Sequence, residues 1–392
     1  MIPIIKPLID EREADAARRV ILSGWVTQGP EVRAFEEEFA AYTGARSACA
    51  VSNCTTALHL ALLAAGVGPG DEVITVSHSF IATANAIRYC GAIPVFCDIE
   101  PGTFNMDFRQ IEPAISGKTK AILCVHQMGM PCNLAEITKI GAKHGIPVVE
   151  DAACAIGSEI LWKGSWQKIG RPHGESACFS FHPRKIATTG DGGMVVSANP
   201  SVTSRCKLWR QHSMSVPDTA RHGSQSVIFE EYTELGFNYR MTDIQAAVGR
   251  VQITRLGEVV GRRRELAENY RNLLSGISGI VQPDEPEWAR ANWQSFCVRL
   301  PEGSNQKMVM QKMLDQGVST RRGIMNSHLE PAYRKEPWRC WAGCTMGDAG
   351  RCTHLNESVS AHENSIILPL FHNMTSEEQN SVVDALSGAV KS

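Results

Sequence analysis

Ala48-Cys49-Ala50-Val51-Ser52, followed by a helical stretch from Thr55 to Ala65 that Gly66 ends, sets the pattern on which the fold is read. Glu72-Val73-Ile74-Thr75-Val76 repeats the strand, and Ala82 to Tyr89, closed by Gly91, repeats the helix. Further strand-like runs lie at Pro94–Phe96, Ala121–Val125, Pro147–Glu150, Ala177–Phe181 and Met194–Ser197. Strands that are apolar throughout, rather than alternating, must be covered on both faces. Separated by helices, they predict an α/β fold with a mainly parallel sheet flanked by helices. After Met241 the pattern changes. Thr242 is placed as the N-cap of a long helix that runs through Arg262-Arg263-Arg264-Glu265-Leu266 to about Leu274. Short strands such as Ser295–Leu300 and an amphipathic helix at Ser376–Val390 then suggest a smaller α+β unit. The expected division is a large domain of residues 1–250 and a small C-terminal domain of residues 251–392.

The composition narrows the partners. Against 39 Lys+Arg stand 41 Asp+Glu, a formal net charge of -2, and no basic run appears, which removes the electrostatic case for nucleic acid. The most apolar stretch, Ala57 to Val67, is far short of the ~20 residues a membrane span requires. Asp10, Glu11 and Glu13 arrive too early for a secretory signal. The 13 cysteines, an odd number set mostly in apolar runs, read as reduced thiols and hence as a cytoplasmic protein.

Chemistry concentrates in Cys178-Phe179-Ser180-Phe181-His182-Pro183-Arg184-Lys185, followed by Thr188-Thr189-Gly190-Asp191-Gly192-Gly193. Lys185 falls just past a strand in a loop bounded by Pro and Gly. Apolar walls there would lower its pKa by desolvation and leave an amine able to form a Schiff base. Upstream, Val148-Val149-Glu150-Asp151 ends a strand in carboxylates, and Asp151 stands where open α/β sheets place ligands. A carboxylate there can keep a pyridine nitrogen protonated, so that the ring accepts electrons. The third element is Val51-Ser52-Asn53-Cys54-Thr55-Thr56-Ala57, a strand-turn-helix entry whose first-turn N–H groups suit a phosphate. Read singly, Lys185 is a solvated loop lysine, Asp151 a helix cap and the Thr pair an ordinary helix start. Together they point to pyridoxal 5'-phosphate (PLP), with pyridoxamine 5'-phosphate as its aminated form.

The chain also resembles the DegT-type sugar aminotransferases, PLP enzymes of fold type I. The resemblance runs through Ser23-Gly24-Trp25-Val26-Thr27-Gln28-Gly29-Pro30, Gly70-Asp71-Glu72-Val73-Ile74, Ser180 to Lys185 and Thr188 to Gly193. It continues in Leu235-Gly236-Phe237-Asn238-Tyr239-Arg240-Met241-Thr242-Asp243 and Leu368-Pro369-Leu370. It implies that Lys185 is the Schiff-base lysine and Asp151 the partner of the pyridine nitrogen. By the same resemblance Phe80 stacks on the ring, where plain core packing is the alternative, and Thr55, Thr56 and Ser180 bind the phosphate. Asn238 would be donated to the phosphate of a second subunit, which implies a homodimer with composite sites. Arg240 and Tyr239 are the candidates for the substrate, Arg240 for its anionic part. His328 matches a histidine near the substrate pocket, or is a satisfied structural residue. The sequence departs from the family at Cys154, where Gln or His is usual, and at Cys54, where Gly often precedes Thr.

The activity implied is a ping-pong transfer of an amino group, from glutamate, to a keto sugar, most simply a nucleotide-linked one. Three alternatives stand beside it: a transaminase of a nucleotide-free sugar acid such as an octulosonate, a PLP sugar dehydratase, and a non-catalytic regulatory protein. The dehydratase branch carries His in place of the lysine, and Lys185 argues against it. Cys340, Cys344, Cys352 and His354 fall close together, but C-x3-C-x7-C-x-H differs from the paired C-x2-C of common zinc sites. They are read as buried or loop thiols, with no metal expected.

Overall fold

The computed structural model describes residues 1–171, 173–216, 221, 225–348 and 352–391. Helices α1 (Glu11–Ser23) and α2 (Pro30–Thr43) precede the alternation β1 (Ser47–Val51), α3 (Cys54–Ala64), β2 (Glu72–Val76), α4 (Ala82–Tyr89) and β3 (Ile93–Cys97). It continues through α5 (Ile111–Ala114), β4 (Thr119–Val125), α6 (Leu134–His144) and β5 (Val148–Asp151). A hairpin of β6 (Glu159–Trp162) and β7 (Ser165–Lys168) leads to β8 (Ser176–Ser180), β9 (Gly193–Ser197) and α7 (Pro200–Trp209). The long helix α8 (Asp243–Leu274) is followed by β10 (Ala289–Arg290), β11 (Phe296–Arg299), α9 (Gln306–Asp315), β12 (Arg321–Arg322) and β13 (Arg339–Cys340). The described chain closes with α10 (Asn356–Asn364), β14 (Ser365–Leu368) and α11 (Ser376–Val390).

The main sheet has the order β1-β9-β8-β5-β4-β2-β3-β13. Only β9 runs against the others, pairing antiparallel with both β1 and β8. Side chains along each strand alternate between two cores. Ile74, Val76, Ile122 and Cys124 enter one, while Val73, Ala121 and Leu123 enter the other. Both faces are therefore apolar, which is why these strands read as unbroken hydrophobic runs. Three features escaped the sequence: the β6–β7 hairpin, the two-residue β10 that pairs with it, and β13 at the sheet edge.

Thr242 caps α8 as expected, in a capping box with Gln245. Asp243 beside it turns to the neighbouring helix and accepts the N–H groups of Gly29 at 2.7 Å, Glu31 at 3.2 Å and Val32 at 3.0 Å, fixing the start of α2. The first half of α8 packs Ala247 against Ala16 and Val20 of α1. Its second half places Leu266, Tyr270 and Leu274 in a separate core with Phe296, Val298, Leu368 and Leu386. That core covers a small antiparallel sheet of order β11-β14-β12. The boundary expected at residue 250 falls within α8. Among the described residues, no helix is long and apolar enough to cross a membrane.

Candidate active site

Asp151 ends β5 and is 5% exposed. Its Oδ2 accepts the Thr83 hydroxyl at 2.7 Å, and its Oδ1 accepts the Ala153 N–H at 3.1 Å. Burial pushes its carboxyl up from the ordinary range, while Thr83, Ala153 and Lys185 pull the other way by favouring the charged form. The adjacent carboxylate, Glu150, points to the opposite face, as strand geometry requires. It pairs with His126 Nε2 at 3.1 Å and accepts the Gly174 N–H at 3.0 Å, so it takes no part in the site. Thr83 was not anticipated. It lies three residues beyond Phe80, on the first turn of α4, and its own N–H bonds to the Phe80 carbonyl at 3.0 Å. Phe80 is 61% exposed, so core packing does not explain it.

The Lys185 amine lies 3.0 Å from Cys154 Sγ. Desolvation pulls this ammonium down, as the sequence reading assumed, but Cys154, Cys54 and Asp151 outweigh it and hold the group above its ordinary value. The expected lowering is thus corrected: the apolar walls are present, yet acidic groups share the corner. Cys54, whose thiol burial pushes up, also feels Asp151, Lys185 and Cys154. One strand end, two loops and one helix start therefore bring these four side chains together.

A second unanticipated residue fixes the lysine. Gln294 donates to the Arg184 carbonyl at 2.5 Å and accepts the Ile186 N–H at 3.1 Å, bracketing Lys185 on both sides. Asn292, whose Oδ1 receives the Gln294 N–H at 2.8 Å, donates to the carbonyls of Cys154 and Ile156, each at 2.8 Å. Arg263 on α8 holds this segment by donating to the Trp293 carbonyl at 2.8 Å and the Gln294 carbonyl at 2.9 Å. No sequence signal marks Asn292 or Gln294 beyond two amides in an apolar stretch. Substituting Gln294 with Leu is expected to lower kcat by roughly 10- to 100-fold with little change in KM, since a displacement near 1 Å can cost that much. Steady-state kinetics checks this, and an unchanged kcat would make the amide mere scaffolding.

The start of α3 is the candidate anion cradle. Asn53 accepts the Thr56 N–H at 2.9 Å, and Thr56 Oγ1 donates to the Asn53 carbonyl at 2.7 Å. The Thr56 hydroxyl is thus committed to the capping box. The Thr55 hydroxyl, and the N–H groups of Cys54 and Thr55, meet no acceptor among the described residues. These are the orphan donors that a helix N-terminus offers to a phosphate. Gly193 is needed here, because a Cβ would come within 2.4 Å of the Asn53 carbonyl. Ser180, at the end of β8, pairs with Gly193 across the sheet and so stands beside the cradle. Two open amides, a free hydroxyl, a buried acid and a shielded amine fit PLP in chemistry.

The remaining candidates are dispersed around this corner. The Tyr239 carbonyl accepts the Ser52 N–H at 2.8 Å, which brings residues 238–240 alongside the cradle. Tyr239 itself stacks on Phe237 at 4.9 Å and shares a hydrogen bond with His59 Nδ1 at 3.2 Å, so its hydroxyl is engaged within the chain. Asn238 is exposed, and Arg240 is half-buried with no hydrogen bond or ion pair among the described residues. His328 is buried, with Nδ1 at 2.6 Å from Ser77 Oγ at the end of β2, and burial pulls it down to about 4. It is a neutral histidine satisfied by that hydroxyl.

This arrangement, a loop lysine and a strand-end acid across a parallel sheet, defines a fold type I PLP enzyme. The chain belongs to the DegT/DnrJ/EryC1/StrS aminotransferase family, whose model matches residues 7–387, and is a PLP-dependent aminotransferase. The spore coat polysaccharide biosynthesis protein SpsC of Bacillus subtilis is 32% identical over 394 residues, covering 100% of this chain and 97% of that protein. The aminotransferase TlmJ from Streptoalloteichus hindustanus has a similar structure, with a TM-score of 0.87 at 32% identity over 100% of this chain and 99% of that one. The PLP form of Spr1654 from Streptococcus pneumoniae is similar with a TM-score of 0.88 at 26% identity, covering 100% and 98% of the two chains.

Proposed function

We propose that this sugar aminotransferase carries an amino group from glutamate to the keto carbon of a nucleotide-linked sugar. The observation that carries the reading is the shared corner of Lys185, Cys154, Asp151 and Cys54 beside the open start of α3. Lys185 and Asp151 are the catalytic residues. Cys54 N–H, Thr55 and Ser180 hold the phosphate, with Thr56 supporting the turn, Phe80 covers the ring, and Cys154 stands beside the lysine. When bound, PLP supplies an aldehyde for an amine to join and a ring that accepts the charge left by a departing C–H proton. Asp151 holds a proton on the ring nitrogen, where its carboxylate is ready-made by Thr83 and Ala153. Lys185 Nζ, once it sheds its extra proton, would take the proton from the donor's α-carbon and deliver it across the joining nitrogen to the carbon that was the cofactor's aldehyde, a 1,3-shift.

Arg240, a half-buried cation without a partner among the described residues, suits an anionic part of donor or substrate. SpsC, named for polysaccharide biosynthesis, supports a sugar acceptor. A homodimer is supported by exposed Asn238, which follows a run of exposed apolar residues, Val227, Phe229 and Leu235. A cytoplasmic location is supported by the 13 cysteines, none joined in a disulfide. The test is a screen of keto sugars, free and nucleotide-linked, that follows conversion of glutamate to 2-oxoglutarate. Turnover with a nucleotide-linked sugar is expected. Turnover confined to free sugar acids, or sugar dehydration without loss of glutamate, would contradict the reading.

A further inference from the structure

The geometry points to a structural zinc site formed by the thiolates of Cys340, Cys344 and Cys352. In the sequence these thiols lacked the usual zinc spacing. The fold nevertheless converges them, and their Sγ atoms all lie within 4.8 Å of one another. Zinc–thiolate bonds of about 2.3 Å at tetrahedral angles place sulfurs about 3.8 Å apart, so a small adjustment closes the site.

The backbone is shaped for the purpose. Cys340 and Cys344 flank a tight turn in which the Gly343 N–H bonds to the Cys340 carbonyl at 3.1 Å, with Gly343 at φ 95°. The Cys344 N–H points at Cys340 Sγ at 3.2 Å, a bond that strengthens as the sulfur becomes a thiolate. The Cys340 N–H bonds to the Cys344 carbonyl at 2.7 Å, closing the turn from the other side. Cys352 arrives from a separate segment, at the entry to the 3-10 turn Thr353–Leu355. Cys340 and Cys352 are 0% and 6% exposed. A disulfide would use two of the sulfurs and strand the third.

The placement argues for a structural role. Cys340 lies on β13, five strands from β8 in the sheet order and thus about 24 Å from the strand that leads to Lys185. Around it is a small core of Ala84, Phe96, Tyr333, Trp338 and Leu355, which has little regular secondary structure to hold it. A metal there would staple this segment to the sheet edge. Through Trp338 against His328, at 5.7 Å, and Tyr333 Oη on Asn85, at 3.0 Å, it steadies the start of α4. Binding breaks three S–H bonds, releases three protons to solvent and forms three S–Zn bonds, with no electron transfer. The fourth position falls to water.

The test is elemental analysis of the holoenzyme purified without chelator or histidine tag, from cells supplied with Zn2+. One equivalent of zinc per chain is expected, with at least a tenfold loss in Cys344→Ser that leaves the PLP absorbance band in place. Should that variant fail to fold, the wild-type protein stripped of metal and titrated with Co2+ gives the second measurement. A sulfur-to-cobalt charge-transfer band that Zn2+ abolishes is expected. Absence of both zinc and the cobalt band would overturn the proposal, as would a non-reduced chain mass showing a disulfide among these cysteines.

Discussion

Replacing Lys185 with Ala lowers kcat by roughly 10^3-fold or more, near the top of the range that a positioned acid–base group contributes. In the proposed reaction the same amine is both covalent partner and proton carrier, so no neighbour can substitute for it. Cys154 is the one side chain hydrogen-bonded to its Nζ among the described residues, at 3.0 Å, and the loop is held instead by Gln294 through backbone atoms. The variant should therefore keep its fold, with circular dichroism and melting temperature close to the parent. Partial recovery of rate with an added small primary amine would show that the missing function is the amine itself. Turnover at the parental rate would remove Lys185 from the chemistry.

Asp151→Asn has the next largest effect, a fall in kcat of about 10^2 to 10^3, comparable to deleting one preorganised charge-stabilising contact. The amide has the same shape and retains an acceptor for Thr83 or Ala153, but it cannot hold a proton on the ring nitrogen as an ionised partner. Thr83→Val gives a graded companion measurement. The Thr83 hydroxyl favours the carboxylate, so its loss raises the Asp151 pKa and moves the acid limb of the pH–rate profile upward. Asp151→Asn with normal rates, or a limb that moves down in Thr83→Val, would place the acid outside the reaction.

Much of the fold was legible because its strands carry a local signal. Val73 and Ile74 point to different cores yet both are apolar, and Gly66 and Gly91 mark the helix ends at φ 82° and 76°. Lys185, Asp151 and Thr55 were legible as residue types at element boundaries, where chemistry gathers in parallel sheets. What was hidden depends on distant partners. Gln294 acts across 110 residues on the Arg184 carbonyl, and an amide in an apolar stretch carries no mark of that. The raised Lys185 pKa was hidden for the same reason: Cys54 and Asp151 reach it only through the fold. The two-residue β13 is too short for a periodicity, and with it went the convergence of Cys340, Cys344 and Cys352.

The account stands on Lys185 and Asp151 holding one ring between them. Borohydride reduction of the PLP-loaded enzyme, followed by proteolysis and peptide mass mapping, tests this most directly. A single phosphopyridoxyl group on Lys185, whose yield falls sharply in Asp151→Asn at limiting cofactor, is the predicted result. Labelling of another lysine, or none in an enzyme that turns over, would contradict it.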